Sequence, residues 1–490
     1  MPHTQRNHSH PPFLWMFFTI ETLGNFSHYG VRMLLVLYMS LSLKFNDHVV
    51  YGIYGSFVAL IYLTPMIGGI MADRLLKNSF LMRLGAISIT VGGFVLVYQD
   101  INAFYFGLGI TAIGYGLFKP NLMRMMGRLY DQMEFKREAG FTLFFVGSNL
   151  GAAATALVSG YIGNRIGWHY AFFIAATVML LNLILIFYAQ KRMTTLNLDV
   201  RPESLTMRWL KKNPKLWGIL SVPFFGLLFA VLLSQQHFFF QGIMLTAIVI
   251  TAYTIVIAFK STSLDRKLIN VILILVFFHL IFFAFFEQLG NSMNLFVERS
   301  IERTYLGFQI PTTWFQSLNP LYVILIGPLI SALWLTLSYR GRDISIAAKF
   351  FGALLFLSAG FGLFTVGAFN TDCDGKVSIL WLLFGILCMT IGEVLIAPVA
   401  MSTITRISPK GHTGYFIGLY FLSVSFGNYI SGFIAKLMAI SPDENGQIYA
   451  VECAPVYGGI YGKVALAALG ASLLLLIFAP FLKKTLALKH

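Results

Sequence analysis

The sequence predicts an all-α polytopic membrane protein, and three observations lead to that class. Of the 490 residues, 57% are hydrophobic and 11% are charged, which gives a mean hydropathy of +0.75. The apolar runs are longer than the ~18–20 residues that a helix needs to cross a bilayer. These runs do not alternate apolar and polar residues as a membrane β-barrel requires. We therefore expect the segments to cross the membrane as helices.

Fourteen apolar runs predict fourteen transmembrane helices. The first run is too long for the core of a signal peptide and has no cleavage site of small residues, so we expect it to be retained. The runs occupy residues 13–43, 49–72, 80–98, 103–126, 138–163, 168–190, 216–234, 238–259, 268–297, 317–338, 345–368, 377–405, 412–438 and 459–482.

Polar segments divide these helices into groups. Six helices, an inserted pair and six more resemble the two-halves plan of the major facilitator fold, in which two six-helix bundles rock about a midplane site. The expected parts are a disordered cytoplasmic tail at 1–12, the N-terminal bundle at 13–190, a basic connector at 191–215, a two-helix hairpin at 216–267 with its tip at 235–237, and the C-terminal bundle with a short tail at 268–490.

Lysine and arginine residues are concentrated in every second loop. The net charge is +15, but this distribution fits the excess of positive charge in cytoplasmic loops better than a nucleic-acid surface. The basic loops fall on one side when helices are counted from a cytoplasmic N-terminus. We therefore expect both termini in the cytoplasm, the lipid bilayer as a partner, and no nucleic acid.

A polar stripe interrupts the first apolar run. Glu21, Asn25, His28 and Arg32 are separated by four, three and four residues, so a helix places them on one face. A charged side chain in the hydrocarbon costs ~2.5–3.5 kcal/mol on insertion scales unless it faces water or a partner. We interpret the stripe as functional, and a polar contact between helices is the alternative.

Three further charged residues lie inside apolar runs: Lys119 on the fourth helix, Glu287 on the seventh and Glu393 on the tenth. In a major facilitator fold these helices and the first line the central cavity. Charges of both signs there favour a solvated path for a zwitterion. Lys119 could instead extend to the interface, Glu287 could lie near the outer surface, and His28 could bond a neighbouring helix.

The sequence offers no chemistry typical of an enzyme. We find no nucleophile–base arrangement, no cluster of metal ligands and no phosphate-binding loop, so neither an enzyme nor a cofactor is expected. Cys373 and Cys453 are predicted in loops that face an oxidising exterior. There they form either a disulfide or two free thiols.

Five ordered motifs resemble those of the proton-dependent oligopeptide transporter family. Together they extend over most of the chain, which makes them much more specific than any single motif. They are Gly68–Arg74 after the second helix, Gly116–Asn121 in the fourth, Phe141–Gly151 in the fifth, Phe315–Pro320 in the eighth and Gly392–Pro398 in the tenth.

This resemblance implies import of di- and tripeptides driven by a proton gradient, across the inner membrane of a bacterium, by a protein that functions as a monomer. It implies that Glu393, Asn149 and Asn319 hold the amino terminus of the peptide. Arg32 and Lys119 would attract its carboxylate, because buried charges need partners of opposite sign. The tyrosines expected to shape the pocket are Tyr29 and Tyr62.

The chain departs from the family pattern Glu-x-x-Glu-Arg-Phe-x-Tyr-Tyr-Gly in the first helix. Glu21 is retained, but Gly24, Asn25 and His28 replace the second acid, the arginine and the first tyrosine. We expect a modified relay in which Glu21, His28 and Glu287 couple protons to transport. The alternative is a facilitator or exporter of another small zwitterionic or anionic solute, without the usual proton coupling.

Overall fold

The computed structural model of the chain describes residues 10–131, 133–199, 213–342, 344–409, 412–443 and 447–487. Within them the fold is almost entirely helical, apart from a small hairpin of two strands, β1 (Thr304–Tyr305) and β2 (Phe308–Gln309). The helices are α1 (Leu14–Leu37), α2 (Asp47–Arg74), α3 (Asn78–Leu96), α4 (Ile101–Arg128), α5 (Glu134–Arg165), α6 (Trp168–Thr195), α7 (Pro214–Ser234), α8 (Gln236–Lys260), α9 (Ser263–Phe286), α10 (Ser292–Ser300), α11 (Leu318–Tyr339), α12 (Ile346–Phe369), α13 (Ile379–Ile407), α14 (Thr413–Lys436) and α15 (Ala450–Ala487).

Thirteen segments of the described residues are long and apolar enough to cross a membrane. One of them, Ser263–Ser300, contains both α9 and α10, and another contains the 3₁₀ turn Thr312–Ser317 together with most of α11. Helix α1 is not among the thirteen, because its polar stripe lowers its mean hydropathy. With α1, the described part of the chain has the fourteen long helical segments that the apolar runs predict.

The first compact unit consists of Met1–Val31 and Thr64–Ala230. Its helices α3 and α4 pack closely through glycines, as small residues allow in membrane proteins. A Cβ atom on Gly85 would lie 2.6 Å from the carbonyl oxygen of Gly114 and 2.5 Å from the backbone nitrogen of Phe118. The side chain of Phe118 belongs to a buried cluster that also contains residues of α1 and α6.

The second compact unit consists of Arg32–Leu63 and Val231–His490. The start of α2 is held in this unit because Asp47 accepts two hydrogen bonds from Arg299, of 2.6 and 2.7 Å. Further along α2, the Ser425 hydroxyl donates to the carbonyl oxygen of Ala59 at 2.7 Å. The limits between the two units fall within helices α1, α2 and α7.

The domain boundaries drawn from the sequence stay a prediction. Residues 1–9 of the predicted tail and 200–212 of the predicted connector lie outside the described residues.

Some predicted helix limits are wrong, and local backbone explains each case. The first helix ends at Leu37, because the chain continues as a π-helical turn over Tyr38–Ser42. Only Gln235 separates α7 from α8, so the hairpin tip is shorter than predicted. The apolar run that contains Glu287 is a broken helix, with a 3₁₀ turn at Glu287–Leu289 between α9 and α10.

The last helix begins at Ala450, nine residues before its apolar run. Cys453 therefore lies on a helix and is buried, which corrects its predicted place in a loop. Pro455 near this helix start made the beginning hard to recognise, although Glu452 in the first turn suits the helix dipole. Cys373 is exposed, and both thiols are free, so the alternative of a disulfide is not realised.

Candidate functional site

A buried ion pair joins Arg32, near the end of α1, to Glu287 at the break between α9 and α10. The Arg32 Nη2 atom donates to Glu287 Oε2, and their side chains are only 9% and 5% exposed. Arg32 Nε donates a second hydrogen bond of 3.2 Å to the Tyr54 hydroxyl on α2. Each charge thus has the partner that a low-dielectric environment requires. This pair lies entirely in the second unit.

The helix break at Glu287 is fixed by its polar neighbours. Gln288 donates to the Ser431 carbonyl and hydroxyl at 2.9 and 3.0 Å. Asn294 donates to the Gly290 carbonyl at 2.6 Å. Together these amide hydrogen bonds hold the break in position.

Gly290 allows the close approach of Tyr54 to this break. A Cβ atom on Gly290 would lie 1.9 Å from the Tyr54 hydroxyl oxygen. We expect Gly290→Ala to lower stability by about 1–3 kcal/mol, as overpacking does in well-packed cores, measured as a lower melting temperature. Tyr54→Phe in the same chain should recover part of this loss, because it removes the clashing oxygen together with the hydrogen bond from Arg32.

The matched control for Gly290→Ala is Gly327→Ala. Gly327 is also in the second unit, on α11, and nothing lies within 4 Å of a Cβ placed there. That change should leave stability unaltered or raise it slightly, because alanine favours helix. Equal losses at the two glycines would show that the contact with Tyr54 does not constrain the break.

Glu393 on α13 accepts a hydrogen bond from a neutral amide. The Asn319 side chain donates 2.8 Å and 3.1 Å hydrogen bonds to Glu393 Oε2 and Thr390 Oγ1. Among the described residues, no lysine or arginine forms an ion pair with Glu393, although Arg32 and Glu287 lie within electrostatic range. The side chain of Glu393 is partly accessible. This arrangement leaves a carboxylate available to an external cation.

A second buried ion pair lies in the first unit. Lys119 on α4 donates to Glu21 Oε1, and the Glu21 side chain has no exposed surface. The same oxygen accepts a 2.6 Å hydrogen bond from Asn25, whose amide also donates 3.0 Å to the Glu21 carbonyl. Lys119 Nζ also lies 5.5 Å from the centre of the Phe144 ring, within cation–π range. Asn25 thus stabilises the charged form of Glu21 by donating a hydrogen bond to its carboxylate.

The positions where the first helix departs from the family pattern are closely packed. A Cβ atom on Gly24 would lie 2.8 Å from the Phe118 ring. The buried His28 ring stacks on Tyr115, with centroids 4.1 Å apart and an interplanar angle of 23°. The ring centroids of Tyr29 and His28 lie 5.1 Å apart in a T-shaped arrangement, and Tyr29 is partly accessible. His28 thus packs against two aromatic rings, and its role in proton coupling stays a prediction.

Two further predicted substrate contacts, Asn149 and Tyr62, lie on α5 and α2. Asn149 on α5 lies in the first unit, where its amide donates 2.9 Å to the Phe145 carbonyl. Its predicted contact with the group at Glu393, in the second unit, stays a prediction. Tyr62 on α2 is partly accessible, and its role also stays a prediction.

The residues of these networks that the sequence reasoning missed include Tyr54, Gly290 and Thr390. Tyr54 and Thr390 have no individual signal, because single hydroxyl groups are common in membrane helices. Gly290 could have been noticed, since Gly290-Asn291 follows Glu287-Gln288 inside an apolar run and marks a helix break.

Comparison with known proteins places the chain in a family. A family model described as the POT family matches residues 79–451, well over half of the chain. The chain belongs to the POT family. This confirms the resemblance found in the sequence motifs, and also the prediction that the protein is a transporter rather than an enzyme.

The POT-family relatives cover nearly the whole chain. The peptide transporter YePEPT of Yersinia enterocolitica subsp. palearctica serotype O:3 (strain YE-P4) is 31% identical over 449 residues, 87% of each chain. Dipeptide and tripeptide permease B of Yersinia enterocolitica serotype O:8 / biotype 1B (strain NCTC 13174 / 8081) is 26% identical over 484 residues, 96% of this chain and 95% of the permease.

A solved structure confirms the fold class. The crystal structure of peptide transporter POT in complex with sulfate is similar with a TM-score of 0.85 and 27% identity, over 98% of this chain and 96% of that chain. This POT-family protein is therefore an all-α polytopic membrane protein with the major facilitator fold.

Proposed function

We propose that this POT-family protein imports di- and tripeptides by proton symport with a modified coupling site. Its relatives are named as a peptide transporter and as a dipeptide and tripeptide permease. The observation that supports a peptide most directly is Glu393, a carboxylate bonded to the neutral Asn319 and within electrostatic range of Arg32. One carboxylate and one guanidinium match the two charged ends of a peptide.

In this proposal Glu393 binds the ammonium end of the peptide. Charge-assisted hydrogen bonds are roughly twice as strong as neutral ones, and Asn319 keeps the Glu393 carboxylate in a fixed position. Arg32 binds the carboxylate end. Because these groups recognise only the chain termini, side chains of many kinds are tolerated.

Proton coupling follows from competition for Arg32. While Glu287 is charged, it holds the guanidinium in the buried pair. A proton on Glu287 removes that attraction and frees Arg32 for the peptide carboxylate. Protonation of Glu21 would free Lys119 in the same way. Binding of a proton thus favours binding of an anionic group, which is the thermodynamic requirement for symport.

The remaining assignments of the proposal come from the family resemblance. We keep Tyr29, Tyr62 and Asn149 as substrate contacts and His28 as a second coupling group. We also propose that the protein functions as a monomer in the bacterial inner membrane. Both termini lie in the cytoplasm in this proposal, because the basic loops alternate with acidic or uncharged ones.

Uptake of labelled Ala-Ala into proteoliposomes tests the proposal. An inward proton gradient should drive accumulation above the external concentration, and collapse of the gradient with a protonophore should abolish it. The gradient and the membrane potential should be imposed separately, so that proton coupling is distinguished from attraction of a charged substrate.

Two results would change the proposal. Equal uptake with and without the gradient would reject symport and leave facilitated transport of peptides. If peptides are not taken up at all, a thermal-shift screen against other zwitterions and organic acids would test the alternative, a facilitator or exporter of another small solute. That alternative is motivated by Gly24 and Asn25, which replace the family's second acid and arginine.

A further inference from the structure

A groove of about 440 Å³ lies between the N-terminal turn of α1 and the C-terminal end of α6. Its volume is within the range of sites for small molecules, roughly 300–1,000 Å³. Phe13, directly before α1, and Met16 on α1 form an apolar wall. Lys191 and Arg192 contribute two basic side chains from α6, next to Tyr188. The groove is separate from both buried ion pairs.

The groove is a fixed feature of the first unit, because α1 and α6 are packed together beside it. Leu14 and Phe17, the neighbours of the α1 wall, are fully buried in one cluster with Ala189. Further along the same contact, the Asn182 side chain donates 3.0 Å to the carbonyl oxygen of Ile20. The wall residues Phe13 and Met16 stay partly accessible at the edge of this cluster.

The two cations of the groove are exposed and have no acidic partner among the described residues. This differs from the last turn of α4, where Arg124 pairs with Asp73 and Arg128 lies 3.6 Å from Asp131. Two adjacent cations without an acidic partner in the described part of the chain, next to an apolar wall, fit a ligand that is anionic at one end and apolar at the other.

Aromatic residues place the groove at the edge of the hydrocarbon. Trp15 is 58% exposed and Tyr188 is 78% exposed, and exposed tryptophan and tyrosine are enriched where helices cross the lipid headgroups. Lys191 and Arg192 directly follow the apolar run of α6. Basic pockets at such positions between membrane helices bind the headgroups of anionic lipids.

We propose that this groove binds an anionic phospholipid, with its phosphate on Lys191 and Arg192 and an acyl chain against Phe13 and Met16. The combination of charge and apolar wall favours a lipid over a free phosphate ion, which would use only the two cations. A lipid in this position bridges α1 and α6 and stabilises the first unit. The inference does not depend on which solute the protein transports.

Thermal unfolding of the full chain in a neutral detergent tests this proposal. Added phosphatidylglycerol should raise the melting temperature of the wild type by about 3 °C or more above the value with phosphatidylcholine, because a ligand that binds only the folded state stabilises it. The double variant K191Q/R192Q should lose most of this difference. K483Q/K484Q, which removes the same charge from exposed positions at the end of α15, should retain it.

Each other outcome contradicts the proposal. Equal loss in the two double variants would indicate general electrostatic attraction, and an equal shift with inorganic phosphate would indicate a simple anion site. If K191Q/R192Q does not fold, a photoactivatable phosphatidylglycerol is applied to the wild type. Peptide mapping should then find label within residues 13–16 or 188–195, and label confined to other segments would exclude the groove.

Discussion

Replacing Glu393 by glutamine is expected to lower Ala-Ala uptake about ten- to a hundredfold. The change keeps the size of the side chain and its hydrogen bond with Asn319, but removes the negative charge that balances the ammonium end of a peptide. A hydrogen bond to a charged group contributes about 1.5–3 kcal/mol, which corresponds to roughly that factor in affinity. The measurement is the concentration dependence of labelled Ala-Ala uptake in proteoliposomes.

Acetylated Ala-Ala distinguishes a binding role of Glu393 from a structural one. Acetylation removes the ammonium charge from the peptide, so the wild type should discriminate strongly against it. The variant should lose most of its uptake of the free peptide and therefore most of that discrimination. Retained uptake with unchanged discrimination would remove Glu393 from this role.

A matched control for the charge change is Glu452→Gln at the exposed start of α15. This variant should transport the free peptide like the wild type and discriminate equally against the acetylated one. If both glutamate variants lost uptake to the same extent, the loss would reflect expression or folding rather than recognition of the amino terminus.

The charged residues of the site could be predicted from the sequence, because an ionisable group inside an apolar run is costly and therefore conspicuous. Arg32, Lys119, Glu287 and Glu393 were all found in this way. Their pairing could not be derived, because it depends on side-chain directions across different helices. The structure pairs Lys119 with Glu21 and Arg32 with Glu287, and leaves Glu393 with a neutral amide.

The effect of the altered first-helix motif was also only partly predictable. The sequence shows that Gly24 and Asn25 replace an acid and a base, but not which contacts these two residues make. In the structure the Phe118 ring packs directly over Gly24, and Asn25 bonds Glu21. A glutamate restored at position 24 would need Phe118 to move, so the departure is part of the packing of α1 on α4.

Helix limits were the least predictable part of the fold. Apolar runs report which residues lie in the hydrocarbon, and helices continue beyond them where polar residues can still form backbone hydrogen bonds. The extension of α15 back to Ala450 is such a case. The 3₁₀ turn at Glu287 is the opposite case, because the run is continuous while the helix is broken.

Replacing Glu287 by glutamine is expected to uncouple transport from the proton gradient. Glutamine cannot take up the coupling proton, and its neutral amide resembles the protonated glutamate. Arg32 can then bind the peptide carboxylate at every pH. The ratio of uptake with and without a proton gradient should fall to about one, since the linkage between proton and peptide is lost. Exchange of labelled for unlabelled peptide across the membrane should persist.

A cost in stability should accompany this uncoupling. The buried Arg32 guanidinium loses its counter-charge, and breaking a buried pair from one side typically costs about 3–5 kcal/mol. Its hydrogen bond to the Tyr54 hydroxyl remains, so the loss should be toward the lower end. Added Ala-Ala should restore part of the melting temperature, because the peptide carboxylate then supplies the missing charge.

Glu298→Gln separates uncoupling from the general effect of a broken ion pair. Glu298 lies on α10, eleven residues after Glu287, and pairs with Arg303 at 2.9 Å. Its replacement should lower stability but leave accumulation dependent on the gradient. If Glu287→Gln still accumulated Ala-Ala under a proton gradient, the coupling proton would have to bind elsewhere. Glu21 would then be the next group to replace, because its carboxylate is also buried and holds a cation.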